Sequence, residues 1–164
     1  MTTIGVGHAA PGFSLKSLDG KEYSLDSLLA RGPVVAAFFK ISCPVCQFTF
    51  PFLQRIAERF AGKNALVVGI SQDDARSTRR FNEEFGVRFL TLLDDAAYAA
   101  SNAYGLTSVP TIFLIAGDRT VQVSSSGFEK AALETITAEL AHFEKMAAAP
   151  LFQRSENVPA FKPG

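Results

Sequence analysis

The stretch from Val34 to Cys46 constrains the chain most: Val34-Val35-Ala36-Ala37-Phe38-Phe39-Lys40-Ile41-Ser42-Cys43-Pro44-Val45-Cys46. An uninterrupted apolar run rich in Val and Phe reads as a buried strand. A helical pattern follows it, with Phe48, Phe52, Ile56 and Phe60 spaced four apart along one face. Two sulfurs therefore stand where a strand hands over to the first turn of a helix. Pro44 suits the first helical position, where the missing N–H removes no hydrogen bond.

The first turn of a helix presents unpaired amides and the positive end of the helix dipole. Both favour negative charge on a sulfur at the tip, and the thiolate is the form that attacks disulfides. Cys43 is the expected nucleophile. Cys46, one turn on, faces back and is placed to resolve a mixed disulfide formed by Cys43. These are the only two cysteines among 164 residues. A structural zinc site usually needs four ligands, often from a second cysteine pair, and the chain has no second pair, so neither a metal nor a cofactor is expected.

The length suits one domain with a substantial core. Phe occurs 15 times and Trp is absent, so Phe must fill that core. Lys plus Arg balance Asp plus Glu at 16 each, which gives no reason to expect a nucleic acid or an anionic membrane as partner. No apolar run approaches a membrane span. The N-terminal residues Met1 to His8 lack the basic start and long apolar segment of a secretory signal. If Met1 is the native start, the expected location is the cytoplasm, where a disulfide is transient and catalytic.

Along the chain, residues 13–15 and 23–25 alternate and read as a hairpin turning at Asp19-Gly20. Asp26 is placed to cap a short helix through Leu29. The helix after Cys43 is expected to reach about Ala61, bending at Pro51 rather than dividing there. Ala65 to Ile70 reads as a second buried strand. Asp73 and Asp74 are placed to cap a helix ending at Gly86. Further strands are expected from Arg88 to Leu92, Thr111 to Ile115 and Val121 to Ser125. A small helix spans 96–104, and a last helix begins near Glu129 with Leu133, Ile136, Leu140 and Phe143 facing inward. Residues 1–149 then form one domain. The segment 150–164, with Pro150, Pro159 and Pro163 and no helical period, is a tail whose Phe152 and Phe161 are either docked or free. Strands alternating with helices imply an α/β fold with a mixed sheet and helices on both faces.

With those elements in place the chain resembles the thioredoxin superfamily over roughly residues 10–145. The resemblance rests on the strand-Cys43-Pro44-Val45-Cys46-helix unit, on Pro51 five residues beyond the second cysteine, on Val109-Pro110-Thr111 before a strand, and on a closing strand-strand-helix. The N-terminal hairpin and the additional strand-helix pair at 65–86 look like the TlpA/ResA-like or peroxiredoxin-like branch. The resemblance implies a thioredoxin fold and a cis Val109–Pro110 bond facing the cysteines. It implies thiol–disulfide oxidoreductase activity, with Cys43 attacking and Cys46 resolving. Ser42, Pro44, Val109, Pro110 and Thr111 would contact the partner. Partners would be protein thiols or disulfides, with an external reductant.

The departures from that pattern matter. Thioredoxins carry Trp where this chain has Ser42, and a buried Asp where it has Ala37. The TlpA/ResA-like branch often carries Glu where it has Thr49. With both acids missing, slow resolution by Cys46 is expected. Peroxiredoxins place Thr three residues and Pro seven residues before the attacking cysteine. Those positions hold Lys40 and Ala36 relative to Cys43, and Cys43 and Phe39 relative to Cys46. The usual peroxide pocket is absent on that reading. Two alternatives stay open: a peroxiredoxin-like peroxidase using Cys43 without that Thr, and a non-catalytic thioredoxin-fold binding protein. His8 and His142 read as surface residues, the Asp73-Asp74 and Asp94-Asp95 pairs as helix caps, and Arg76, Arg79 and Arg80 as a solvated helix face.

Overall fold

None of the six residues Val34 to Phe39 exposes any surface. A strand buried on both faces sits at the centre of a sheet with cover on each side. The computed structural model describes residues 2–164. In chain order the elements are β1 (Ser14–Ser17), β2 (Glu22–Ser24), α1 (Leu25–Leu29), β3 (Val34–Phe39), α2 (Pro44–Arg59), β4 (Leu66–Ser71), α3 (Ala75–Phe85) and β5 (Leu90–Leu93). Then follow α4 (Ala99–Ala103), β6 (Thr111–Ile115), β7 (Val121–Ser126), β8 (Phe128–Glu129), α5 (Lys130–Phe143) and β9 (Phe161–Lys162).

The main sheet has strand order β2-β1-β5-β4-β3-β6-β7. Strand β3 is parallel to β4, and β4 to β5. Strands β6 and β7 close one edge antiparallel, and the β1–β2 hairpin closes the other. The sheet is mixed and the fold is that of thioredoxin. Alternation along β3 divides the core. Val35, Ala37 and Phe39 face α2, α3 and α5, whereas Val34, Ala36 and Phe38 face α1, α4 and Tyr104. Phenylalanine fills the first layer: Phe50 lies 4.2 Å from Phe39, 5.5 Å from Phe81 and 5.8 Å from Phe89, centroid to centroid. Helix α2 is one helix through Pro51.

Three local expectations need correction. Ser24, not Asp26, caps α1: its extended backbone lets its hydroxyl accept from the Ser27 amide while the Ser27 hydroxyl accepts from Ser24. Asp26, the second residue of the helix, instead pairs with Arg119 at 2.8 Å. Phe143 ends α5 against Gly32 and stays 47% exposed rather than facing inward. Asp74 alone caps α3, accepting from the Ser77 amide at 2.8 Å, because the Asp73 carboxylate is engaged elsewhere.

Beyond α5 the chain doubles back over α2. Leu151 and Phe152 are buried, with Phe152 5.0 Å from Phe52. Arg59 donates to the carbonyls of Ala149 and Pro150, and Arg55 to that of Leu151. Arg55 also grips Glu156 with both guanidinium arms, at 2.8 and 2.9 Å. That contact holds the Glu156 carboxyl down at about 2. A depressed carboxyl stabilises the folded form above the ordinary carboxylate range, and this contribution disappears as pH falls toward 2. The segment then pairs β9 antiparallel with β8, matching Phe128 with Lys162 and Glu129 with Phe161. Of the two tail phenylalanines, Phe152 docks and Phe161 remains 54% exposed.

Because Phe50 joins β3, α2 and α3, Phe50→Ala should cost about 3–5 kcal/mol. Urea unfolding should show a lower midpoint with an unchanged slope; a loss below about 1 kcal/mol would mean the cavity collapses freely.

Candidate active site

Helix α2 begins at the end of β3, and its first residues carry both sulfurs. Cys43 is the N-cap, with extended backbone at φ −85° and ψ 113°. Its sulfur does what a capping Ser or Asp oxygen does: it accepts the Cys46 amide at 3.1 Å. The Cys43 amide donates to the Lys40 carbonyl, and the Cys43 carbonyl accepts the Gln47 amide. Pro44 occupies the first helical position as expected. Cys43 is half-buried, and its neighbours Ser42 and Pro44 are exposed, so the sulfur stands at the rim of the molecule.

Cys46 differs in every respect. It is fully buried within the Phe39 and Phe50 layer. Burial pushes its thiol well above the ordinary value, the adjacent Cys43 sulfur adds to that, and the charge of Asp73 pushes the same way. One sulfur is reachable and the other is held as a protonated thiol. Both are free.

The Val109-Pro110-Thr111 segment lies beside the first sulfur. The Val109–Pro110 bond is cis. The Cys43 thiol points at the Val109 carbonyl, 3.4 Å away. Val109 is half-buried, whereas Pro110 and Thr111 are buried, the Thr111 hydroxyl donating to the Ser108 carbonyl at 2.8 Å. Residues 66 positions apart in sequence thus meet at one point. Thr111 is turned into the body; of the expected set, Val109 meets the Cys43 sulfur through its carbonyl, and Ser42 and Pro44 are its exposed neighbours in the chain.

The positions of the two missing acids are closed. Ala37 is buried between Gly69 and Ile112, and the buried Thr49 hydroxyl donates to the Val45 carbonyl at 2.6 Å. A carboxylate reaches the cysteine loop from elsewhere. Asp73, between β4 and α3, accepts the Ile41 amide at 2.8 Å, and the Gln47 side-chain amide donates to the Ile41 carbonyl at 2.9 Å. The peptide groups on either side of Ile41, which lead into Cys43, are thereby held from both ends. Asp73 is thus not the helix cap expected of it beside Asp74. Two adjacent Asp residues before one helix, where one cap suffices, was the only available signal.

Of the remaining candidates, Arg76, Arg79 and Arg80 lie exposed on α3 as expected, whereas of the Asp94-Asp95 pair only Asp94 bonds the start of α4, Tyr98 holding the N-cap position and Asp95 lying exposed. His8 and His142 are exposed. Asp94 is buried and accepts the amides of Ala100 and Ser101 at the start of α4. Among the described residues no three His, Cys, Asp or Glu side chains gather where they could hold a metal ion, and no helix is long and apolar enough to cross a membrane.

A mixed sheet that presents a Cys-Pro-x-Cys pair on a helix tip, opposite a cis-proline loop, defines a thioredoxin-fold protein with a dithiol site. The chain belongs to the AhpC/TSA family, whose model matches residues 6–124. It is 36% identical over 107 residues to a candidate peroxiredoxin, bcp, of Helicobacter pylori, spanning 64% of this chain and 70% of that protein. It is 28% identical over 115 residues to the thiol-disulfide oxidoreductase ResA of Geobacillus thermodenitrificans, spanning 70% of this chain and 65% of ResA. The crystal structure of the thioredoxin domain of a thiol-disulfide oxidoreductase from Bacteroides vulgatus superimposes with a TM-score of 0.74. That likeness covers 87% of this chain and 99% of the other at 19% identity, and concerns the fold. The protein is an oxidoreductase of the redoxin kind.

At pH 7, limiting iodoacetamide should label Cys43 more than about tenfold faster than Cys46, read by mass spectrometry of the digest. Equal rates would contradict the burial of Cys46. Asp73→Asn removes a negative charge that raises the Cys46 thiol. In a Cys43→Ser background it should therefore speed Cys46 labelling between pH 8 and 9, by less than about tenfold. A slower rate would reverse the sign argued here.

Proposed function

We propose that the chain is a thiol–disulfide oxidoreductase that exchanges disulfides with protein partners through Cys43 and Cys46. The observation that carries this reading is the asymmetry of the pair: a rim sulfur capping α2 and, one turn on, a buried thiol. Cys43 as thiolate attacks one sulfur of a partner disulfide. The other partner sulfur leaves with the bonding pair and takes up a proton. Cys46 then loses its proton and attacks the Cys43 sulfur, and the second partner thiol departs. The pair ends as a disulfide, two electrons having passed to the partner. An external dithiol restores the reduced pair by the reverse sequence.

Ser42, Pro44 and Val109 would line the approach to Cys43, and Pro110 and Thr111 would fix the position of Val109. Residues 1–149 would carry this chemistry as one domain, with 150–164 appended to it. Protein thiols or disulfides are the partners this arrangement suits, and ResA, a thiol-disulfide oxidoreductase by name, is the relative that supports it.

A second reading, reduction of a peroxide at Cys43, draws support from the AhpC/TSA membership and from the bcp relative. The residues fit it less well. Lys40 is exposed at the end of β3 and Ala36 is buried within it, where a peroxiredoxin pocket carries Thr and Pro. Cys46 is fully buried and its thiol is shifted away from the reactive form, so it is poorly suited to meet peroxide directly.

Cys43→Ser should lose more than about 10³-fold in reduction of insulin disulfides, since no second reachable thiol replaces it. Cys46→Ser should instead accumulate a mixed disulfide with the partner, visible on non-reducing gels. Turnover with hydrogen peroxide faster than with insulin, in the unmodified protein supplied with dithiothreitol, would favour the peroxidase reading. Turnover with neither would leave a binding protein.

A further inference from the structure

The last residues of the chain run beside the nucleophile. After the Arg55–Glu156 anchor, Val158 packs on the main core, and the Ala160 carbonyl accepts the Lys130 amide at 3.0 Å. Phe161 and Lys162 then pair as β9 with β8. The Lys162 ammonium sits 4.8 Å from the ring centre of Phe48, on α2 just past the cysteines. Gly164 finally lies so close to Val109 that a β-carbon on it would collide with the Val109 carbonyl. That carbonyl is the one the Cys43 thiol points at.

The body is shaped to accept this strand. Gly127, between β7 and β8, has φ +76°, a conformation that favours glycine. A β-carbon there would collide with the Lys162 carbonyl and crowd the Gly164 amide, so the close approach of the strand depends on the bare backbone. The Gly127 amide in turn donates to the Pro110 carbonyl at 2.8 Å. One short surface, made of Val109, Gly127, β8 and Phe48, therefore holds an extended peptide by strand pairing and a cation–ring contact.

The hold is light. Pro159, Ala160, Phe161, Pro163 and Gly164 are all exposed, in contrast to the buried Leu151 and Phe152 upstream. Two paired residues make a marginal strand. Within 158–164 only Val158 and Lys162 are even half-buried, whereas Leu151 and Phe152 are buried.

We infer that residues 158–164, seated in cis on the surface formed by Val109, Gly127, β8 and Phe48, can leave it while 150–156 remain docked, and that a partner's chain must displace them to reach Cys43. The role of the displaced strand in disulfide exchange rests on the function proposed above; its seat on this surface does not. An extended segment with a Lys or Arg at the position of Lys162 is the partner chemistry this surface fits. The fraction of molecules with the strand released then scales the apparent affinity for the partner.

The test compares the full chain with one ending at Asn157, and with Lys162→Glu in the full chain as a variant that leaves the body untouched. Circular dichroism establishes that each is folded. The heptapeptide of residues 158–164, Val-Pro-Ala-Phe-Lys-Pro-Gly, is the probe. Added to the shortened chain, it should shift the amide resonances of Val109 and Gly127 and slow insulin reduction competitively; added to the full chain, it should do neither. Shortening should raise kcat/KM for insulin disulfides about three- to tenfold, with Lys162→Glu giving a smaller rise in the same direction. Labelling of Cys43 by the small iodoacetamide should change by less than about twofold, since Cys43 is reachable with the strand in place. Absence of peptide-induced shifts at Val109 and Gly127 in the shortened chain would overturn the docking site. Shifts without any rise in kcat/KM would overturn the competition. If no form reduces insulin, the oxidoreductase reading falls, and the resonance shifts still decide whether the surface binds this strand.

Discussion

Everything at the site depends on β3 being buried on both faces. A strand with no exposed residue can lie only in the middle of a covered sheet, so its end is fixed to within the pleat. Phe39 closes that strand and is locked against Phe50 and Phe81, which ties the first turns of α2 to the same layer. Four residues beyond Phe39 comes Cys43. The position of Cys43 is thus set first by the packing beneath it, and the Cys46 amide and the Val109 carbonyl complete the hold on its sulfur.

The same geometry puts two chemically identical side chains in opposite surroundings. At the N-cap, a sulfur meets a free amide and the positive end of a sixteen-residue helix while staying at the surface. One turn later, the helix has rotated the next sulfur into the phenylalanine layer, where a charged form loses its hydration and has little to replace it. Asp73 sharpens this contrast. Its carboxylate steadies the backbone leading to Cys43 through the Ile41 amide, and its charge makes ionisation of Cys46 harder. In the disulfide exchange proposed above, resolution would await whatever lifts the proton from Cys46, since the positions of both familiar acids hold Ala37 and Thr49.

The C-terminal segment couples this site to the remainder of the fold. Two arginines of α2 fasten its first half through backbone carbonyls and Glu156, while its second half rests on β8 and the Val109 loop with most of its surface exposed. A firmly held half followed by a lightly held half keeps the strand at high local concentration without burying it. The surface beside Cys43 is then neither empty nor blocked.

Much of this was legible in the sequence, for physical reasons. The apolar run into Cys43-Pro44-Val45-Cys46 specified a buried strand, a helix start and the two sulfur positions, because each of those follows from residues adjacent in the chain. The alternation of strands and helices fixed the order of elements and the mixed sheet. What only the tertiary structure decided involves residues distant in sequence. Asp73 and Asp74 are neighbours of the same type before one helix; only the packing of the β4–α3 loop against the cysteine loop shows which one caps and which one turns to Ile41. Ser24 displaced Asp26 as a cap because a reciprocal pair with Ser27 was geometrically available. The tail carries no hydrophobic period, since it packs by one adjacent pair, Leu151 and Phe152, by Val158, and by arginines reaching its carbonyls. Its arrival at Val109 depends on a glycine at position 127 whose left-handed backbone leaves room for another strand, and no local pattern around residue 164 encodes that meeting.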